Sequence, residues 1–193
     1  RLGSAATYTL TSTSVLGTNS DIVALRLSIV DTDYIDFSGV LAIDSSSTFL
    51  QITSAFVADM FSNQVVAIGS STALAVSAFV PDRIRPSLSS FVIDYNQGSL
   101  ALTFIQAVDS TLLDTSFITV QSVRDNSASA GVEYQLTGAA GVTQPTPNKV
   151  VVALTVTDLN ALKARQALLS SSFVRLTDRA IQDARGNRVQ DIL

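Results

Sequence analysis

The stretch Val150-Val-Val-Ala-Leu-Thr-Val-Thr-Asp158 places apolar side chains at every second position from Val150 to Val156. This alternation is typical of a half-buried β-strand, because successive side chains of a strand point to opposite faces of its sheet. The same alternation recurs in three other stretches: Leu25-Arg-Leu-Ser-Ile29, Phe91-Val-Ile-Asp-Tyr95 and Leu100-Ala-Leu-Thr-Phe104. The sequence therefore predicts a mainly-β protein.

Four short segments recur in the same order about 125 residues later, which predicts tandem domains of β-sandwich size. Tyr8-Thr-Leu-Thr11 returns as Tyr134-Gln-Leu-Thr137, Val23–Asp31 as Val150–Asp158, Phe49-Leu-Gln-Ile-Thr53 as Phe173-Val-Arg-Leu-Thr177, and Asp59–Val65 as Asp183–Val189. Two prolines in 81–86 mark the linker. Residues 1–80 then form an incomplete domain, the rear half of a repeat, without counterparts of 81–133. Residues 81–193 form a second domain that lacks its last strand, the counterpart of 73–80.

One segment departs from the strand pattern. Asp158-Leu-Asn-Ala-Leu-Lys-Ala-Arg-Gln-Ala-Leu-Leu169 is rich in good helix formers and begins with a residue suited to an N-cap. It predicts one short crossover helix in the second domain, capped by Asp158. The counterpart around Asp31–Phe37 looks less helical.

The composition excludes several classes of function. The 193 residues include no His and no Cys, which removes the commonest general base, thiolate metal sites and Cys nucleophiles. A formal charge of −4 without a basic stripe argues against nucleic-acid binding. No apolar run approaches the length of a membrane span. We therefore expect neither an enzyme nor a nucleic-acid-binding or membrane-spanning protein.

Several stretches together resemble a known family of surface proteins. They are Leu100-Ala-Leu-Thr-Phe104, Val108-Asp109, Phe117-Ile-Thr119 and Ala180-Ile-Gln-Asp-Ala-Arg-Gly-Asn187. This pattern is similar to the tandem Ig-like modules of bacterial S-layer and large surface proteins, including adhesins and surface fibres. Ile105-Gln106 depart from it, since the family usually has Ser-Glu there. The resemblance implies two Ig-like antiparallel β-sandwich domains in tandem, the first incomplete, with a structural, adhesive or spacer role at the cell surface or outside the cell.

Three carboxylates lie close together in the sequence at Asp31, Asp33 and Asp36. Ca²⁺ prefers closely spaced carboxylate and carbonyl oxygens, so these residues are the candidate metal site. A solvated turn is the alternative, because no glycine-bearing calcium loop surrounds them and the second repeat keeps only Asp158 of the three. Calcium is the one cofactor that the sequence leaves open.

A sandwich that lacks strands exposes apolar surface and unpaired backbone groups, which strands of a neighbouring copy can cover. The sequence thus predicts head-to-tail strand complementation in an extracellular filament or surface array, with the chain itself as partner. The candidate exchanged strands contain Tyr8, Leu10, Val15, Val189, Ile192 and Leu193. Residues 1–80 carry six Asp against two Arg, whereas acids and bases balance in 81–193, so opposite ends differ in charge.

Two alternatives to a filament stay open. The chain belongs to an adhesin or ligand-binding fragment of a longer Ig-like repeat protein, whose loops recognise a glycan or a host protein. An exposed aromatic patch at Tyr34 or Phe61 would favour this role. A spacer in a cell-envelope array shares the fold and differs from a filament only in geometry.

Overall fold

The computed structural model describes residues 7–11, 13–17, 21–124 and 131–193. The predicted first domain starts at residue 1, so its first six residues lie outside these ranges. The described strands are, in chain order, β1 (Thr13–Leu16), β2 (Ala24–Leu27), β3 (Phe49–Leu50), β4 (Leu74–Ala75), β5 (Leu88–Asp94), β6 (Ser99–Phe104), β7 (Ile118–Gln121), β8 (Glu133–Gln135), β9 (Ala139–Thr146), β10 (Lys149–Leu154) and β11 (Phe173–Leu176). The described helices are α1 (Ile29–Ser38), α2 (Val156–Ala164) and α3 (Gln166–Ser170).

All strand pairing in the described ranges is antiparallel, and each sheet lies wholly on one side of residue 81. In residues 1–80, called unit one below, β1 pairs with β2 and β3 pairs with β4. In residues 81–193, called unit two, one sheet has the order β5-β6-β10-β9 and a second has the order β11-β7-β8. The chain is therefore mainly β, with several small antiparallel sheets, as the alternating pattern predicts.

The hydrophobic core draws side chains from both sheets of unit two. On β6, Leu100, Leu102 and Phe104 are each at most 1% exposed, while the residues between them are half-buried. The register sets Leu102 opposite Val150 and Leu100 opposite Val152 on β10. The second sheet contributes Ile118, Val120, Val174 and Leu176. The period of two in β6 and β10 thus places one face of each strand in the core.

Unit one has the same alternation but buries far less. Among its described residues, Asp31 and Ser38 are the buried ones, and none of the described apolar side chains of this unit is buried. The sequence pattern of a strand therefore does not by itself create a core, since burial needs a second layer.

The helix prediction needs three corrections. Unit one also contains a helix, α1, ten residues long, which begins after Ser28 and ends at Gly39 in the left-handed conformation. In unit two the N-cap is Thr155, whose Oγ1 accepts from the backbone N–H of Asp158, so Asp158 lies in the first turn. A second short helix, α3, follows α2. Both N-caps are hydroxyl residues three positions before the aspartate, a spacing that the capping rule allows equally well.

Candidate functional site

A buried carboxylate connects helix α2 to strand β8 and to the segment that follows β8. Asp158 is 0% exposed, and its Oδ1 accepts hydrogen bonds from Tyr134 Oη (2.8 Å), Thr137 Oγ1 (2.8 Å) and Thr137 N (3.1 Å). Burial alone raises the pKa of Asp158, and the hydrogen bonds from Thr137 and Tyr134 outweigh it, so the pKa lies below its usual value of 3.8. The fold therefore favours the charged form of the Asp158 carboxylate.

Unit one repeats this arrangement with its own residues. Asp31 is also 0% exposed, and its Oδ1 accepts from Tyr8 Oη (2.8 Å), Thr11 Oγ1 (2.8 Å) and Thr11 N (2.9 Å). Ser28 caps α1 as Thr155 caps α2. The recurring Tyr-x-x-Thr and Asp of the sequence thus build the same contact twice.

The second recurring motif also builds the same turn twice. Asp183 Oδ1 accepts from Asn187 N (2.8 Å), and Asn187 Nδ2 donates to Asp183 Oδ2 (2.8 Å). Asp59 and Asn63 make the same two contacts, at 2.8 and 2.9 Å. Both turns are closed by the aspartate N–H donating to the asparagine carbonyl, at 3.0 and 2.9 Å. The two recurring sequence motifs therefore make the same hydrogen bonds in unit one as in unit two.

The two units differ in what lies beside their corresponding strands. In unit two, β10 lies between β6 and β9, whereas its counterpart β2 pairs with β1 alone in the described ranges. Val150 on β10 is 0% exposed, and its counterpart Val23, just before β2, is 42% exposed. Leu154 is 6% exposed and its counterpart Leu27 is 36% exposed. The candidate functional site is this exposed face of unit one, which we call the open strand face, comprising Val23, β2 and β3.

The three predicted metal ligands do not converge. Asp31 faces Tyr8, Asp33 Oδ1 accepts from the backbone N–H of Ala107 (3.2 Å), and Asp36 lies 3.5 Å from Arg185 Nε. No group of three or more acidic side chains able to hold a metal occurs among the residues that the structure describes. Their close spacing in sequence is undone by helix α1, which turns successive side chains to different faces.

The predicted exchange strand at the C-terminal end lies partly in the core of unit two. Val189 is 0% exposed, and its N–H donates to the carbonyl of Ile181 (3.0 Å). Ile192 pairs with Leu176 through two backbone hydrogen bonds of 2.8 and 3.0 Å, and Leu193 is 84% exposed. Residues 189–192 thus already contact their own unit.

The predicted exchange strand near the N-terminal end is more open. Leu10 is 37% and Val15 is 62% exposed, and Val15 pairs with Leu25 across β1 and β2. Tyr8 is held by Asp31 and stacks on Tyr34, with the ring centroids 6.3 Å apart. Exchange of these residues between chains stays a prediction.

Units one and two also contact each other directly, at a junction that the sequence did not indicate. Arg185, in the turn of unit two, lies beside the C-terminal end of α1, where Nη2 donates to the carbonyl of Leu41 (2.6 Å). Its Nε lies 3.5 Å from Asp36 Oδ1, and its side chain is only 10% exposed. Burial and the nearby Asp82 raise the pKa of Asp36 to about 6, although Arg185 opposes the rise. The recurrence of the Asp-x-x-x-Asn turn marked this place in the sequence, but not what the turn contacts.

Comparison with known proteins identifies no relative. No family model, curated protein or solved structure matches the chain. Among the helices of the described residues, none is both long and apolar enough to cross a membrane.

Proposed function

We propose that the chain is a non-catalytic structural subunit of an extracellular filament or surface array, assembled head-to-tail by strand complementation between two Ig-like β-sandwich domains. Support for the extracellular setting comes from the resemblance of unit two to surface-protein modules. Support for assembly comes from the open strand face of unit one.

Unit two indicates which partner the open strand face binds, because the corresponding strand of unit two already has its neighbour. In unit two the corresponding strand β10 is paired with β6 over five residues, Lys149 to Ala153. Unit one offers the same edge on β2, where Val23 and Leu27 are 42% and 36% exposed and Leu25 is half-buried. The partner for this face is therefore a β-strand with alternating apolar residues, added at the position that β6 takes beside β10.

The added strand comes from a neighbouring subunit in this proposal. Residues 88–121 cover unit two in every copy, so the donated strand is not the neighbour's β6 but a segment that lies outside the neighbour's own core. A contact from one end of a subunit to the other end of the next is heterologous and need not close, so it produces a filament.

The expected energy is adequate for association. Each backbone hydrogen bond formed along β2 contributes about 0.5–1.5 kcal/mol. Each large apolar side chain that becomes fully buried contributes about 1.5–3 kcal/mol. Several of each are needed to offset the roughly 4–15 kcal/mol that association costs in lost freedom. A face with both an open edge and several exposed apolar residues meets that need.

The test combines sedimentation velocity over a concentration series with negative-stain microscopy. We expect concentration-dependent polymers of the wild-type chain and little association of the double variant Val23→Asp/Leu27→Asp. Val66→Asp is the matched control, since Val66 is 84% exposed and its counterpart Gln190 is exposed in unit two as well. A wild-type chain that stays monomeric at all concentrations contradicts the proposal. That outcome favours an adhesin fragment whose loops bind other molecules.

A further inference from the structure

Units one and two meet at a junction between a helix end and a turn. Each of these two surfaces has an equivalent position in the other unit. One side is the C-terminal end of α1, with Asp36. The other side is the turn of unit two, with Arg185. The repeat places Lys163, near the end of α2, at the position of Asp36, and Phe61 at the position of Arg185. Each chain therefore carries one junction already formed and the two surfaces of another.

Side chains on both repeated surfaces are exposed, whereas the Arg185 side chain of the formed junction is 10% exposed. The backbone contact of Arg185 does not recur, because Leu168, the counterpart of Leu41, is buried and its carbonyl already accepts from Tyr95 Oη. Met60 and Phe61 in the turn of unit one are each 87% exposed, which is far more than the 10% of the Arg185 side chain. Lys163 is exposed and Leu169, just beyond α2, is 47% exposed. Two large apolar side chains exposed side by side in one turn form a candidate contact surface, and an exposed Phe61 is also what the adhesin alternative predicts.

We propose that the turn Asp59–Asn63 of one subunit docks on the C-terminal end of α2 of a second copy, repeating between subunits the junction that exists within one. The proposal rests on the proposed head-to-tail assembly and specifies one of its contacts. Since the step from unit one to unit two is repeated and not reversed, the contact is heterologous and continues along a filament.

The side chains on the two surfaces are complementary in a different way from those of the inner junction. Within the chain the turn supplies a cation, Arg185, and the helix end supplies an anion, Asp36. Between chains the turn supplies an aromatic ring, Phe61, and the helix end supplies a cation, Lys163. A lysine ammonium over an aromatic face is an attractive pair, and Met60 and Leu169 add apolar contact.

The charge distribution favours the second copy's unit two over its unit one as the partner. Residues 1–80 carry six Asp and two Arg, so two copies of unit one repel each other. Residues 81–193 carry ten acidic and ten basic residues and present Lys163 at the helix end. A pairing of unit one with unit two therefore avoids the repulsion that a symmetric contact would create.

The experiment is a charge swap followed by sedimentation velocity. Phe61→Arg places a cation opposite Lys163, and we expect the concentration for half-association to rise at least tenfold. The double variant Phe61→Arg/Lys163→Asp recreates the Arg185–Asp36 pair, and we expect it to recover most of the association. Val66→Arg and Lys149→Asp are controls with the same charge changes elsewhere. Circular dichroism checks that each variant is folded.

The outcomes separate this inference from the proposed function. If the wild type associates and Phe61→Arg associates equally well, the docking of the turn is overturned while strand complementation stands. If Phe61→Arg weakens association but Lys163→Asp does not restore it, the assignment of α2 as the partner is overturned. A wild-type chain that does not associate removes the proposed function as well.

Discussion

Replacing the buried carboxylate Asp158 with asparagine tests whether the recurring Tyr-x-x-Thr and Asp residues stabilise unit two. Three hydrogen bonds end on Asp158 Oδ1, two from Thr137 and one from Tyr134, at 2.8–3.1 Å. The side chain is 0% exposed, so water does not replace a lost partner. The helix α2 and the segment after β8 are joined at this point.

The magnitude follows from the difference between charged and neutral acceptors. A hydrogen bond to a charged group contributes about 1.5–3 kcal/mol and one between neutral groups about 0.5–1.5 kcal/mol, so each bond loses about 1 kcal/mol. We expect Asp158→Asn to lower the free energy of unfolding by about 2–4 kcal/mol at pH 7. For a chain of this size that corresponds to about 4–16 °C in Tm.

The assay is urea unfolding followed by far-ultraviolet circular dichroism. Tyr134→Phe removes one of the three bonds to the charged carboxylate and is expected to cost about 1.5–3 kcal/mol. Asp178→Asn is the matched control, because Asp178 makes only a partly exposed ion pair with Arg188 at 3.5 Å and should cost less than about 1 kcal/mol.

The pH dependence of the same variant gives an independent check. The pKa of Asp158 lies below 3.8 in the folded protein, so its contribution to stability is present above that value and is lost as the pH falls through the folded pKa. The difference between wild type and Asp158→Asn should therefore shrink below about pH 4. A variant within about 0.5 kcal/mol of wild type at pH 7 would refute the reasoning.

Three further predictions concern the junction, a glycine and the open edge. Asp36 should titrate near pH 6 in carboxyl ¹³C NMR, and Arg185→Leu should raise that midpoint, because Arg185 favours the charged form; a midpoint near 4 would contradict it. Gly98→Ala should cost about 1–3 kcal/mol in urea unfolding, because the residue has φ +63° and a new Cβ would lie 3.0 Å from Leu159 Cδ2. Gly186→Ala is its control, with φ +87° and open space, at about 1 kcal/mol; equal costs would exclude the steric part. Backbone amides of β2 should exchange with deuterium faster than those of β10 in dilute protein and should gain protection on association. Protection of β2 that does not change with protein concentration would contradict the pairing of β2 with a neighbouring subunit.

Local patterns in the sequence predict the class of secondary structure and the recurrence of the motifs. Alternation in β6 and β10 predicts strands because a strand's geometry is local, and the structure places Leu102 and Val150 opposite each other in the core. The recurrence of Tyr, Thr and Asp in the same order at offsets of 126 and 127 residues identified Asp31 and Asp158 as equivalent before any contact was known. The strand pattern and the recurring motif can both be read without knowing which segments pack against the sheet.

Burial and contact partners, by contrast, depend on how distant segments pack. Val23 and Val150 occupy equivalent positions, yet one is exposed and the other buried, because burial depends on whether a second layer covers the strand. Asp31, Asp33 and Asp36 form a cluster in the sequence, but a helix distributes them to a hydroxyl pair, a backbone N–H and an arginine 149 residues away. The distances that decide such contacts are set by packing between segments far apart in the chain, so no local pattern contains them.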